Sequence, residues 1–137
     1  YRREIPERNI LRREIKEGLS SVEFHKKLSE LFDLAQKHQL SANYPSGMMA
    51  DIDHGNVTYF VYVEVFENCE KLPEYKCMPA GTYKCLRCPP KSIMKADQLY
   101  PEYFAGHAKF TIVESDCITS PVYFQEYPVE LQFIRHR

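Results

Sequence analysis

Acidic side chains set among aromatic rings are the chemistry that stands out in this chain. Residues 57–66 are rich in β-branched and aromatic types with period-two alternation, so they read as a strand. Alternation turns Val57, Tyr59, Val61, Val63 and Val65 to one side, and Thr58, Phe60, Tyr62, Glu64 and Phe66 to the other. The first side suits packing under a helix. The second is aromatic with an embedded carboxylate, an odd composition for a face turned to bulk water. Tyr123, Gln125 and Tyr127 share a face near the C-terminus in the same way. Rings with a few polar groups are what a ligand pocket requires. Ten Tyr and eight Phe against no Trp fit that use, although tyrosine is also common in ordinary sheets.

Other motifs favour plainer readings. Cys85-Leu86-Arg87-Cys88 has metal or redox spacing, but a structural zinc site wants four ligands, usually in two such pairs, and no second pair exists. Positions three apart on a strand also face opposite ways. Free thiols are expected, with no metal and no cofactor. Asp51-Ile52-Asp53-His54 leads into Gly55-Asn56 and reads as a turn. His25 and His38 fall on or near the polar side of a helix. His107 follows Gly106 in a loop, and no Ser or Cys partner for a triad is identifiable, so no catalytic residue is assigned. Glu130 alternates with Gln132 and Ile134, away from Val129, Leu131 and Phe133; a solvated edge is favoured for it over a cleft position.

The elements that would position these residues come in two similar halves, about 1–68 and 72–137. Residues 2–16 are strand-like around Pro6. Ser20 and Glu23 form a capping box, and Phe24, Leu28, Leu31 and Ala35 then recur at helical spacing. Asn43, Tyr44, Pro45, Ser46 and Gly47 are expected to break the chain before a short strand at 48–53. In the second half 74–89 is extended with a bend at Pro79 and Gly81. Residues 93–104 form a weaker helix interrupted by Pro101. Strands are expected at 108–114, 123–127 and 129–134. The order strand, helix, strand, strand occurs twice. Ile5-Pro6-Glu7-Arg8-Asn9-Ile10-Leu11 also matches Met78-Pro79-Ala80-Gly81-Thr82-Tyr83-Lys84 in its apolar-Pro opening. The expectation is an α+β domain of duplicated strand-helix-strand-strand units with pseudo-twofold symmetry. Its antiparallel sheet would carry a central ligand cleft.

Bulk properties narrow the function. The 137 residues suit one domain, and 18 basic against 19 acidic side chains leave a net charge of −1. No basic field exists to hold nucleic acid, so DNA would be contacted only through a separate domain. The opening at Tyr1, in a strand-like segment, points to such a domain upstream. No apolar run approaches membrane-span length and no signal peptide is visible, so no membrane partner is expected. Five cysteines, an odd number, fit a reduced cytoplasmic setting.

The chain resembles the GyrI-like effector-binding domains found at the C-terminus of multidrug-responsive MerR-type and some AraC-type transcription regulators. The resemblance covers essentially the whole chain. It is carried by Arg3-Glu4-Ile5-Pro6-Glu7-Arg8, Lys76-Cys77-Met78-Pro79-Ala80-Gly81-Thr82-Tyr83 and Val129-Glu130-Leu131-Gln132-Phe133-Ile134, with the doubled element order. It implies a cleft for a lipophilic, ring-containing small molecule, with a positive charge on it left open, and a dimer in the full-length protein. It also implies a cleft acid in a Phe-Glu-x-Tyr arrangement. The matching stretch is Phe124-Gln125-Glu126-Tyr127, where Gln125 takes the acid's place, or Glu126 with one residue of slip. Glu64 is the other candidate anion. The candidate pocket is thus Phe60, Tyr62, Glu64, Tyr123, Gln125, Glu126 and Tyr127, with Tyr44 and Met48 at the rim. A hydrolase of reactive small molecules, a haem- or tetrapyrrole-binding relative and a protein-inhibitor module are the rival readings.

Overall fold

In the computed structural model, which describes residues 1–16, 21–54, 56–88, 92–99, 101–104, 109–116 and 129–135, Pro6 and Glu7 split the opening segment into β1 (Arg2–Ile5) and β2 (Arg8–Ile15). Proline has no N–H to give a ladder, so the strand must stop there. Helix α1 (Ser21–Lys37) follows; Ser20, its expected cap, lies outside the described residues. Leu31 and Ala35 are buried, and Phe24 and Leu28 pack against the same cluster, as the helical stripe requires.

Strand β3 (Ala42–Asp53) departs from expectation, because the segment 43–47 continues the strand instead of breaking it. The ladder shifts register between Asn43 and Ser46. That bulge leaves Tyr44 and Pro45 outside the pairing, so the missing N–H of Pro45 removes no ladder bond. Asp53 pairs with Asn56 across the expected turn, where His54 has a φ of 49°. Positive φ is what a two-residue hairpin loop demands. The chain then enters β4 (Asn56–Val65).

The second half runs through β5 (Tyr75–Met78), β6 (Gly81–Cys88), a 3₁₀ turn (Ser92–Lys95), and helices α2 (Ala96–Leu99) and α3 (Pro101–Phe104). Pro101 opens a fresh turn, since its fixed φ suits a first helical position. Strands β7 (Lys109–Asp116) and β8 (Val129–Arg135) complete the described chain. The strand expected at 123–127 lies outside the described residues.

All eight strands form one antiparallel sheet in the order β1-β6-β8-β7-β3-β4-β2-β5, and the fold is α+β. The halves do not pack as separate sheets; β3 and β7 join them through the ladder from Met49↔Val113 to Asp53↔Lys109. The connections force the sheet to curl. β1 and β2 stand six places apart, about 29 Å in a flat sheet. Yet Ile5 and Arg8 are three residues apart, a reach of about 11 Å at most. The same holds for Met78 and Gly81 at the ends of β5 and β6.

Alternation gives the curled sheet two apolar clusters. On the outer face Leu11, Val61, Val63, Val65, Ile112, Leu131 and others pack with α1 and with Ile93 and Ala96. On the inner face Ile5, Ile10, Met49, Tyr62, Met78, Tyr83, Cys85, Val113 and Ile134 form a second cluster, with Phe60 packed against it. The two faces read from residues 57–66 are these two faces.

Candidate ligand-binding site

Tyr62 lies at the centre of the inner face. Its ring is 1% exposed, and its hydroxyl donates to the Glu114 backbone carbonyl at 2.6 Å. The cross-strand neighbour that permits this is Gly47. A Cβ there would come within 2.7 Å of the Glu114 carbonyl oxygen and 3.5 Å of the Tyr62 ring. A bare backbone at position 47 lets the tyrosine reach the next strand.

Phe60 stands one step along the same face, partly buried. The Arg12 guanidinium sits 3.9 Å from its ring centroid and donates to Asp51 Oδ2 at 2.9 Å. Asp51 Oδ1 accepts from the Thr111 hydroxyl at 2.8 Å. One face of the Phe60 ring is therefore occupied by the protein's own cation.

Glu64 completes this row, partly buried and paired across the ladders with Ile10 and Asn43. Burial pushes its carboxyl above the usual range, and attraction to the Arg8 guanidinium works in the opposite direction.

Met48 occupies the outer cluster, 8% exposed. Met49 pairs with Phe60 and takes the inner position, so alternation turns Met48 away from the rings. Tyr44 falls in the β3 bulge, and its side chain lies outside the described residues, as do Tyr123, Gln125, Glu126 and Tyr127. Of the nine candidates, the inner face brings together Phe60, Tyr62 and Glu64.

Sequence reasoning missed a polar chain that crosses the curl. Arg8 is 8% exposed, and its Nη1 donates to Gln132 Oε1 at 2.8 Å. Gln132 Nε2 donates to Glu130 Oε1 at 2.9 Å. Glu130 also binds Arg3 Nη2 at 2.9 Å and accepts from the Tyr1 hydroxyl. β2 and β8 are four places apart, about 19 Å in a flat sheet, so the Arg8–Gln132 bond exists only because this face is concave. Glu130, 4% exposed, is therefore not the solvated edge residue that alternation alone favoured. The pattern placed Glu130 and Gln132 on one face correctly; the arginines that compensate their burial come from other strands, Arg3 from β1 and, across the curl, Arg8 from β2.

The thiols of Cys85 and Cys88 are buried in opposite clusters, as three-residue strand spacing requires. Burial, with the Glu130 carboxylate nearby, pushes the Cys85 thiol up to about 11. A cavity of about 530 Å³ lies where the two Pro-containing links meet, lined by Glu4, Ile5, Pro6, Ala80, Gly81 and Thr82. No group of three or more metal-ligating side chains stands together among the described residues. No helix there is long and apolar enough to cross a membrane.

No protein-family model and no curated protein matches the chain. Solved structures do. The crystal structure of the EcmrR C-terminal domain superposes with a TM-score of 0.54 at 13% identity, covering 100% of this chain and 96% of that one. The fold is that of the EcmrR C-terminal domain. An EcmrR chain in a complex with DNA gives a TM-score of 0.58 at 14% identity over 99% of this chain. This chain spans 57% of the length of that EcmrR chain. SAV2435 bound to tetraphenylphosphonium matches at a TM-score of 0.44 and 10% identity, over 99% of this chain and 93% of that one. At these identities the likeness to EcmrR is one of fold.

Proposed function

We propose that this chain is the effector-binding domain of a transcription regulator, and that its inner face receives a lipophilic, ring-containing small molecule with a positively charged group. The observation that carries the reading is Glu64, a partly buried acid beside Phe60 and Tyr62 with no ion-pair contact among the described residues. A carboxylate held out of water attracts a cation more strongly than an exposed one does. A partly buried acid with a raised pKa on a ring-bearing face is a recurrent mark of a binding site.

The EcmrR fold supports the regulator setting, since EcmrR itself is found in complex with DNA. By this reading a DNA-binding domain lies upstream, the full-length protein is a cytoplasmic dimer, and ligand occupancy biases DNA binding. That bias requires different ligand affinities in the two regulator states, because equal affinity shifts no equilibrium. Tyr123, Gln125, Glu126 and Tyr127 extend the pocket in this proposal. The chain is read as one domain of two repeats, 1–68 and 72–137. Exchanging each of β1–β4 with the strand four places later reverses the sheet order onto itself, which supports that duplication.

The test is a fluorescence titration with a cationic rhodamine ester and with Nile red, a neutral dye. Glu64→Gln and Glu126→Gln are expected to weaken the cationic dye far more than the neutral one. Equal loss for both dyes, or no loss, removes the electrostatic part. Failure of the wild-type chain to bind either dye removes the sensing proposal itself.

A further inference from the structure

Arg8 is a cation buried without full compensation. Its Nη1 is used by Gln132, but Nε and Nη2 are buried and have no hydrogen-bond partner among the described residues. These two nitrogens form one edge of the guanidinium, with N–H bonds that run parallel. That is the geometry which takes the two oxygens of a carboxylate at once. Leaving such donors unmet is costly, and native interiors rarely do so without a reason.

Among the described residues, the inner face does not supply the missing acid. Glu130 is committed to Arg3, Tyr1 and Gln132. Asp51 is committed to Arg12 and Thr111. Glu64 feels the charge of Arg8, yet no ion pair joins them. Gln132, fixed at its other end by Glu130, holds the guanidinium by a single nitrogen and leaves the opposite edge without an acceptor.

We propose that the Nε/Nη2 edge of Arg8 is the docking point for a carboxylate carried by the ligand. This rests on the small-molecule reading above and narrows it. The ligand is an aromatic, amphoteric compound, with a positive group toward Glu64 and an acid toward Arg8.

A rhodamine with a free carboxyl group and its methyl ester share one cationic ring system and differ in the acid alone. Fluorescence polarisation with the 137-residue chain is expected to show the free acid binding about 10- to 100-fold tighter than the ester, the range for charge-assisted hydrogen bonds. Arg8→Gln should erase that preference, and Arg8→Lys, which keeps the charge but loses the fork, should retain only part of it. Equal affinity for acid and ester, or tighter binding of the ester, overturns the Arg8 site while leaving the ring-binding reading intact. A preference that survives Arg8→Gln also overturns it. If Arg8→Gln does not fold, the wild-type ratio decides. Binding of neither dye takes down both readings together.

Discussion

The Arg12 guanidinium lies 3.9 Å from the centroid of the Phe60 ring while its own charge is paired to Asp51. A ring read from the sequence as a ligand contact is thus also a structural platform for an arginine. Both residues face inward because β2 and β4 are adjacent, with Arg12 opposite Tyr62 and Glu14 opposite Phe60.

A double-mutant cycle measures this contact. Phe60→Leu and Arg12→Met should show a coupling of about 1 kcal/mol in urea unfolding, within the range for a partly desolvated cation–π pair. Strict additivity would mean that the geometry contributes nothing beyond ordinary packing.

Gly47→Ala should destabilise by about 1–3 kcal/mol, because the added methyl meets the Glu114 carbonyl at 2.7 Å and the backbone has to move. Tyr62→Phe should cost about 1 kcal/mol through the lost hydroxyl bond to the same carbonyl. Both changes act at that one oxygen, so their combined effect in thermal unfolding should fall below the sum.

Burial raises the Cys85 thiol from 9.0 to about 11, so folding favours its protonated form. The stability that this confers is complete below about pH 9 and is lost as pH rises through about 11. The difference in unfolding free energy between wild type and Cys85→Ala should therefore shrink across that window. A constant difference would show that the thiol does not titrate there.

Glu64 titrates with the same sign at lower pH. Its folded pKa lies above the ordinary carboxylate value, mainly from burial, so the stability of its protonated form is lost as pH rises through the folded value. Glu30 and Glu67 are shifted down, Glu30 by its bond to Arg13 and Glu67 by the Ser41 N–H, and their contributions are lost as pH falls. Subtracting the Glu64→Gln curve from the wild-type curve isolates Glu64. The remainder should decline with rising pH in the weakly acidic range, where affinity for a cationic dye should increase.

Local pattern determined much of this protein. Period-two alternation in 57–66 assigns Val61 and Val63 to the helix side and Phe60, Tyr62 and Glu64 to the other, because successive side chains on a strand have nowhere else to point. Helical spacing marks Leu31 and Ala35 as core for the same kind of reason. Pro6 and Pro101 punctuate the chain where their missing N–H and fixed φ demand. The bulge at Asn43–Ser46 was not legible, since Pro45 and Gly47 look like a break until a neighbouring strand is present to pair around them.

Only the tertiary structure decided which polar residues meet. Arg8 and Gln132 are 124 residues apart in the chain and four strands apart in the sheet, and no local periodicity relates them. Two short Pro-containing links force the sheet to curl, and the curl joins Arg8 to the buried Gln132 and Glu130, a polar chain that ends at the exposed Arg3. Alternation fixes the face of a residue, whereas burial and charge compensation depend on what stands across from that face.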